Sequence, residues 1–302
     1  MDKYAVIDIG TNSVRLLIAT VKEEAIIHRE KHLITTRMGQ GVDENKIINQ
    51  ETIYRNLAAL RDLKNLALKK GIEQFIVFGT SALRDAKNAK EFIDLVKREI
   101  NMNVQIIDGQ LEAQYAFLGA GQKYRNESIV VMDIGGGSTE LIFAQNGEIT
   151  NSISFNIGAV RMTERFIRND PPLKSEIESL THFVQNTLSK SFLMEEPFVL
   201  IGIGGTATAL SQMKQKLIEY LPEKIHNSKV FKEDLEQMIQ KLLVMKNGQR
   251  KEIVGLSAKR SDVITAGAMI ILEILNHFNQ KSFIVSDYDN LEGAIFYQKR
   301  GL

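Results

Sequence analysis

Three short stretches of this chain have the residue types to handle phosphate. Two of them end an apolar run with an aspartate and a glycine turn: Asp8-Ile9-Gly10-Thr11-Asn12-Ser13 and Asp133-Ile134-Gly135-Gly136-Gly137-Ser138. The third, Gly202-Ile203-Gly204-Gly205-Thr206, also follows an apolar run. Glycine after a strand lets the backbone turn sharply and converge several N–H groups on one point, a concavity suited to phosphate oxygens. One such turn is an ordinary feature of hairpins; three in one chain predict a phosphate cradle. An aspartate at a strand end beside that cradle is well placed to hold Mg²⁺ directly or through water, which makes Asp133 the first metal candidate. Asp8 taken alone reads as a turn cap. Glu140 lies seven residues beyond Asp133, on the second strand of a tight hairpin, so the two carboxylates can face one cleft. It sits among Leu141, Ile142 and Phe143, where a spare charge is unexpected.

Other chemistries fail on context. No segment supplies the Gly-x-x-x-x-Gly-Lys-Ser/Thr of a P-loop. The Gly202–Ala207 stretch matches the loose dinucleotide fingerprint, but no strand-end acid follows its helix. The five histidines lack zinc-site spacing, Gly-x-Ser-x-Gly is absent, and a chain without cysteine has no thiol nucleophile and no disulfide.

The elements that must position these turns are legible in outline. At 302 residues, 44% hydrophobic and 25% charged, the chain is long enough for two ordinary cores. A formal net charge of +1, with Lys and Arg spread along the chain, argues against a general nucleic-acid binder. No stretch reads as a membrane span or leader, so a cytoplasmic protein is expected. The segment Val6–Ser13 recurs as Val131–Ser138, an offset of 125 residues, and Leu16 and Ala19 recur as Leu141 and Ala144. Two duplicated domains are therefore expected, 1–121 and 122–302, split at the polar connector after Gly119 and Gly121. Strands are expected at Tyr4–Ile9, Val14–Val21, Phe75–Phe78, Val104–Ile107, Ile129–Met132, Thr139–Ala144, Ile149–Asn156, Phe198–Ile203 and Phe283–Ser286, with helices between them. The pattern is alternating α/β with mixed sheets.

Taken together these residues resemble the exopolyphosphatase and guanosine pentaphosphate phosphohydrolase (Ppx/GppA) family, a branch of the actin, hexokinase and heat-shock-ATPase superfamily. The resemblance spans essentially the whole chain. It rests on Asp8–Ser13, Thr80–Arg84, Asp108–Ala113, the highly specific Asp133–Glu140, Gly158–Arg161 with Thr163-Glu164, Gly204–Thr206 and Arg260–Asp262. It implies two actin-like (ribonuclease H-like) domains with an interdomain cleft. It also implies Mg²⁺, with Mn²⁺ an alternative, positioned by Asp133 and Glu140, and Glu112 as the general base for water. Phosphate contacts would come from Asp8, Thr11, Asn12, Ser13, Gly135, Gly136, Gly137, Ser138, Gly204, Gly205 and Thr206, with Arg84 neutralising phosphate charge. By itself Glu112 reads as an ordinary first-turn acid, and Arg161 and Arg260 read equally well as salt-bridge residues.

The implied activity is release of orthophosphate from the end of inorganic polyphosphate. Removal of the 5′ phosphate of guanosine pentaphosphate uses the same parts, and a non-catalytic nucleotide-binding regulatory module is the alternative of another class. No nucleic-acid or membrane partner is expected, and a homodimer is compatible. A base of this kind works best with its pKa raised by burial or by a neighbouring carboxylate such as Asp133. Two features depart from the family. The chain reads as the short form, without the C-terminal HD-type domain of longer members, and the family's late Gly-Leu-Arg-Glu-Gly stretch appears as Asp289-Asn290-Leu291-Glu292-Gly293, without the arginine. Loss of that cation predicts a preference for shorter substrates.

Overall fold

Each half of the chain begins with an apolar strand that doubles back through a glycine turn. In the first half β1 (Asp2–Ile9) pairs antiparallel with β2 (Ser13–Lys22), which pairs antiparallel with β3 (Ala25–Thr35). On its other side β1 runs parallel to β4 (Phe75–Gly79), which runs parallel to β5 (Gln105–Ile106), for an order β3-β2-β1-β4-β5. In the second half β6 (Ile129–Ile134), β7 (Thr139–Gln145), β8 (Glu148–Phe155) and β9 (Val199–Ile203) repeat this arrangement, with β11 (Ser282–Val285) in the place of β5. One further strand, β10 (Ser228–Phe231), closes that edge antiparallel to β11. The strand order of the first sheet thus recurs in the second, as the repeat predicts, and matches the two-domain α/β architecture that the resemblance implies.

The computed structural model describes residues 1–301 except 24, 41, 125 and 195, and residues 43 and 44 by their backbone alone. Two units separate: Met1–Gly119 with Asn290–Leu302, and Ala120–Asp289. The terminal helix Asn290–Lys299, read from sequence as part of the second domain, packs within the first unit against β1 and β2. Its Leu291, Ala294 and Ile295 join Tyr4, Val6, Leu17 and Phe78 in a core on one face of the sheet. The helix Gln50–Lys69, capped by the Asn49 side chain accepting from Thr52 N at 2.8 Å, covers the other face. Both faces of β1 are therefore buried, which is why its sequence is a near-continuous apolar run. Among the described residues no helix is long and apolar enough to cross a membrane.

Two strands, β3 and β10, lie outside the expected set. Both are edge strands, and β3 carries His28-Arg29-Glu30-Lys31-His32 in the middle of its length. Charged edges discourage pairing with other chains, and they also erase the apolar signal by which a strand is read.

In the second unit a buried guanidinium ties distant segments together. Arg250, with its side chain 4% exposed, donates to Asp170 Oδ1 at 2.7 Å and to Thr265 Oγ1 at 2.9 Å. Arg250→Ala removes both bonds and leaves a half-exposed carboxylate. It is expected to cost about 2–3 kcal/mol, somewhat below a fully buried pair. A fall in the urea midpoint with an unchanged slope measures this, and an unmoved midpoint refutes it.

Candidate functional site

The second unit builds its site on the hairpin β6–β7. Gly135 N donates to Ser138 O at 3.0 Å and closes the glycine turn; the identical bond, Gly10 N to Ser13 O at 3.0 Å, closes the turn of the first unit. In register, Asp133 stands opposite Glu140, so both side chains emerge on one face of the sheet. Both are buried, at 8% and 3% exposure. Ser154, opposite Glu140 on β8, donates from Oγ to Glu140 Oε1 at 2.7 Å.

Parallel pairing of β6 with β9 sets Asp133 beside Ile203 and hence beside the start of the helix Gly204–Gln215. A β-carbon on Gly204 would lie 2.5 Å from Asp133 Oδ1, and the backbone there has φ +76°. The position requires glycine both for the close approach and for the left-handed conformation. Asp133 therefore lies against the first residue of this helix, where the dipole favours negative charge. The next residue, Gly205, is covered by the Arg260 guanidinium, whose Nη2 would be 1.8 Å from an added β-carbon. Thr206 Oγ1 donates to Ile134 O at 3.2 Å and joins the third turn to the second. Asp133, Glu140, Gly135 to Ser138 and Gly204 to Thr206 thus gather at one end of β6, β7 and β9.

The helix Ala159–Phe166 seals the back of the turn. Ala159 N donates to Gly135 O at 2.9 Å, and Val160 N and Arg161 N donate to Gly136 O at 2.9 and 3.0 Å. These first-turn donors are engaged by the glycine carbonyls. A β-carbon on Gly158 would fall 2.3 Å from Gly136 O. Gly158→Ala is therefore expected to displace the turn and lower kcat by about 10²-fold, the scale of an ångström-level misplacement. Steady-state assays on the folded variant test this, and a change below threefold contradicts it.

The first unit uses the same hairpin differently. Asp8, opposite Arg15, accepts from its Nε at 3.0 Å and from its Nη2 in a salt bridge. Arg15 is the repeat equivalent of Glu140, so one half holds an ion pair where the other holds two acids. Thr11 Oγ1 and Ser81 Oγ are 2.9 Å apart. The carbonyls of Thr11 and Asn12 accept from Gly39 N, Thr36 N and Arg37 N, which binds the turn Thr11-Asn12-Ser13 to the loop after β3.

At the ends of β4 and β5, Arg84 Nη1 donates to Glu112 Oε2 at 2.7 Å and to Ile107 O at 3.0 Å. Glu112 is 5% exposed in the first turn of the helix Gly109–Ala120, which Asp108 caps through Leu111 N at 2.8 Å. Read from sequence as a phosphate ligand, Arg84 holds the Glu112 carboxylate in place. Strand ends of a parallel sheet are where α/β proteins bind ligands.

Sequence reasoning did not single out Ser154 or Arg15, gave Gly158 no role beyond its place in a family motif, and left Arg260 open. The 125-residue repeat contained the signal for Arg15, since it aligns Arg15 with Glu140. Ser154 and Arg260 depend on strand register and on a loop far away in sequence. Among the described residues no three His, Asp or Glu side chains cluster as metal ligands. The donor set is a carboxylate pair, and Mg²⁺ commonly takes one or two carboxylates and completes its shell with water and substrate phosphates. The pair fits that ion.

Two α/β units of one topology, each ending its parallel strands in glycine turns beside buried acids, define a duplicated two-domain α/β protein. The profile of the Ppx/GppA phosphatase family matches residues 17–300. The chain is 33% identical to Exopolyphosphatase 2 of Mycobacterium tuberculosis across 97% of both chains. It is 37% identical over 98% of its length to the bifunctional 3-dehydroquinate synthase/phosphatase of Fusobacterium nucleatum, of which it spans only about half (47%). The crystal structure of an exopolyphosphatase from Cytophaga hutchinsonii superposes with a TM-score of 0.90 at 28% identity, covering 100% of this chain and 99% of that one. The chain belongs to the Ppx/GppA phosphatase family and is a hydrolase of that family's kind.

Proposed function

We propose that the protein hydrolyses the terminal phosphoanhydride of inorganic polyphosphate and releases orthophosphate. The observation that carries this reading is the pair Asp133–Glu140. Two buried carboxylates face each other at a glycine phosphate turn, where the duplicated hairpin places an aspartate and an arginine. A carboxylate pair of this kind is a donor set that Mg²⁺ commonly takes, and the similarity to exopolyphosphatases supplies the substrate class.

In this reading Asp133 and Glu140 would hold Mg²⁺, which when bound would polarise phosphate oxygens and offset their charge. Ser154 fixes the Glu140 carboxylate. The N–H groups of the Gly135 and Gly204 turns, with the Arg260 guanidinium, take the phosphate oxygens. Glu112, oriented by Arg84, accepts the proton of the attacking water. The new P–O bond forms in line as the bridging P–O bond breaks, and the shortened chain departs with the bridging oxygen. Leu291 stands where the family carries arginine, and at 1% exposure it is part of the first unit's core. Full burial of a leucine contributes about 2 kcal/mol to folding, so this position stabilises the terminal helix.

The test is phosphate release with Mg²⁺ from polyphosphates of defined length, guanosine pentaphosphate and ATP. Fast release from polyphosphate, at least as fast on short chains as on long, is expected. Preference for the pentaphosphate reassigns the substrate, and no release from any of them favours a regulatory module.

A further inference from the structure

The helix Asn290–Lys299 is gripped on one side by charge and packing. Glu292, completely buried, accepts at Oε1 from Arg29 Nη1 and Lys31 Nζ, each at 3.0 Å. The two cations are two residues apart on β3 and so share a face. On another side the contact is backbone. A β-carbon at Gly293 would stand 1.7 Å from the Tyr115 carbonyl oxygen and 2.5 Å from its carbonyl carbon. Tyr115 lies in the helix Gly109–Ala120, three residues after Glu112 and therefore on a neighbouring line of the same face. Its ring packs edge-on against Phe78 and against Tyr297 of the terminal helix, each at a centroid distance of 5.3 Å.

We propose that Gly293 is a positioning residue for Glu112, and the proposal rests on the reading of Glu112 as base. A methyl group at 293 meets main chain, which cannot rotate out of its way. The Glu292 clasp and the buried Leu291 and Ile295 keep the terminal helix from backing off the sheet. The helix that carries Glu112 is then the element that yields, and Glu112 shifts against Arg84. Loss of alignment by an ångström lowers the rate without weakening the grip of the glycine turns on phosphate.

The experiment compares Gly293→Ala, Tyr297→Leu and Glu112→Gln by kcat, KM and amide exchange over residues 109–115. Gly293→Ala is expected to lower kcat by about 10²-fold with KM within twofold, and to speed exchange in that first turn. Tyr297→Leu, which removes ring packing and adds no clash, moves both readouts the same way by less. A folded Gly293→Ala protein with kcat within twofold, or with unchanged exchange, overturns the proposal. If Gly293→Ala does not fold, Tyr297→Leu decides: unchanged kcat and exchange overturn it. Full activity in Glu112→Gln rejects the base assignment instead, while exchange still reports whether the two helices are coupled.

Discussion

Glu112→Gln is expected to lower kcat for phosphate release by about 10²–10⁴-fold, the usual contribution of a general base, with little change in KM. Gln keeps the size of the side chain and its acceptor oxygen, so Arg84 Nη1 retains a partner in place of the 2.7 Å bond to the carboxylate. What is lost is the ability to take a proton. The substitution therefore separates the chemical step from the architecture of the helix start, which Asp108 caps independently. Circular dichroism and thermal unfolding should match the parent within about 1 kcal/mol, because a neutral acceptor replaces a charged one beside a partly exposed arginine. An activity within threefold of the parent removes Glu112 from the mechanism and leaves it as the ordinary first-turn acid its sequence position suggests.

Glu140→Arg should separate stability from function. It reproduces in the second hairpin the arrangement of the first, where Asp8 and Arg15 form an ion pair across register partners. Asp133 would then face a guanidinium in place of a carboxylate. Like charges directly opposite destabilise a sheet and opposite charges support it, so the variant should fold with a Tm no lower than the parent. Phosphate release should fall by about 10³-fold or more, since several kcal/mol of metal-based charge stabilisation disappear with the carboxylate. Mg²⁺ binding followed by calorimetry, or Mn²⁺ binding by electron paramagnetic resonance, should be lost in parallel. A folded variant that keeps its activity rules out a metal-holding role for Glu140. A variant that unfolds shows that the two hairpins are not interchangeable, and Glu140→Gln then carries the test, with weakened metal binding as the expected result.

The division of labour between the two halves bears on how such a protein works. One duplicated hairpin supplies both a neutral ion pair and a double acid, through a difference at a single position, Arg15 against Glu140. The turn that precedes it is closed in both by the same 3.0 Å bond from the glycine N–H to the serine carbonyl.

The sequence by itself determined the parts whose causes are local. Strands buried on both faces announce themselves as apolar runs, the glycine turns as breaks in those runs, and the repeat at 125 residues as two copies of one topology. Asp133 and Glu140 were legible as a pair because a tight hairpin converts a spacing of seven residues into a facing position. Tertiary structure decided the rest. The edge strands β3 and β10 were hidden because their polar faces carry no periodic signal. The partnership of Arg84 with Glu112, the Ser154 bond to Glu140 and the Arg260 guanidinium over Gly205 each join residues separated by tens of positions. The terminal helix returned to the first unit because Leu291 and Ile295 complete a core begun by Tyr4 and Val6. Periodicity and turn chemistry act between neighbours in sequence, whereas these contacts exist only after chain closure has brought distant surfaces together, and their partners cannot be read from either segment alone.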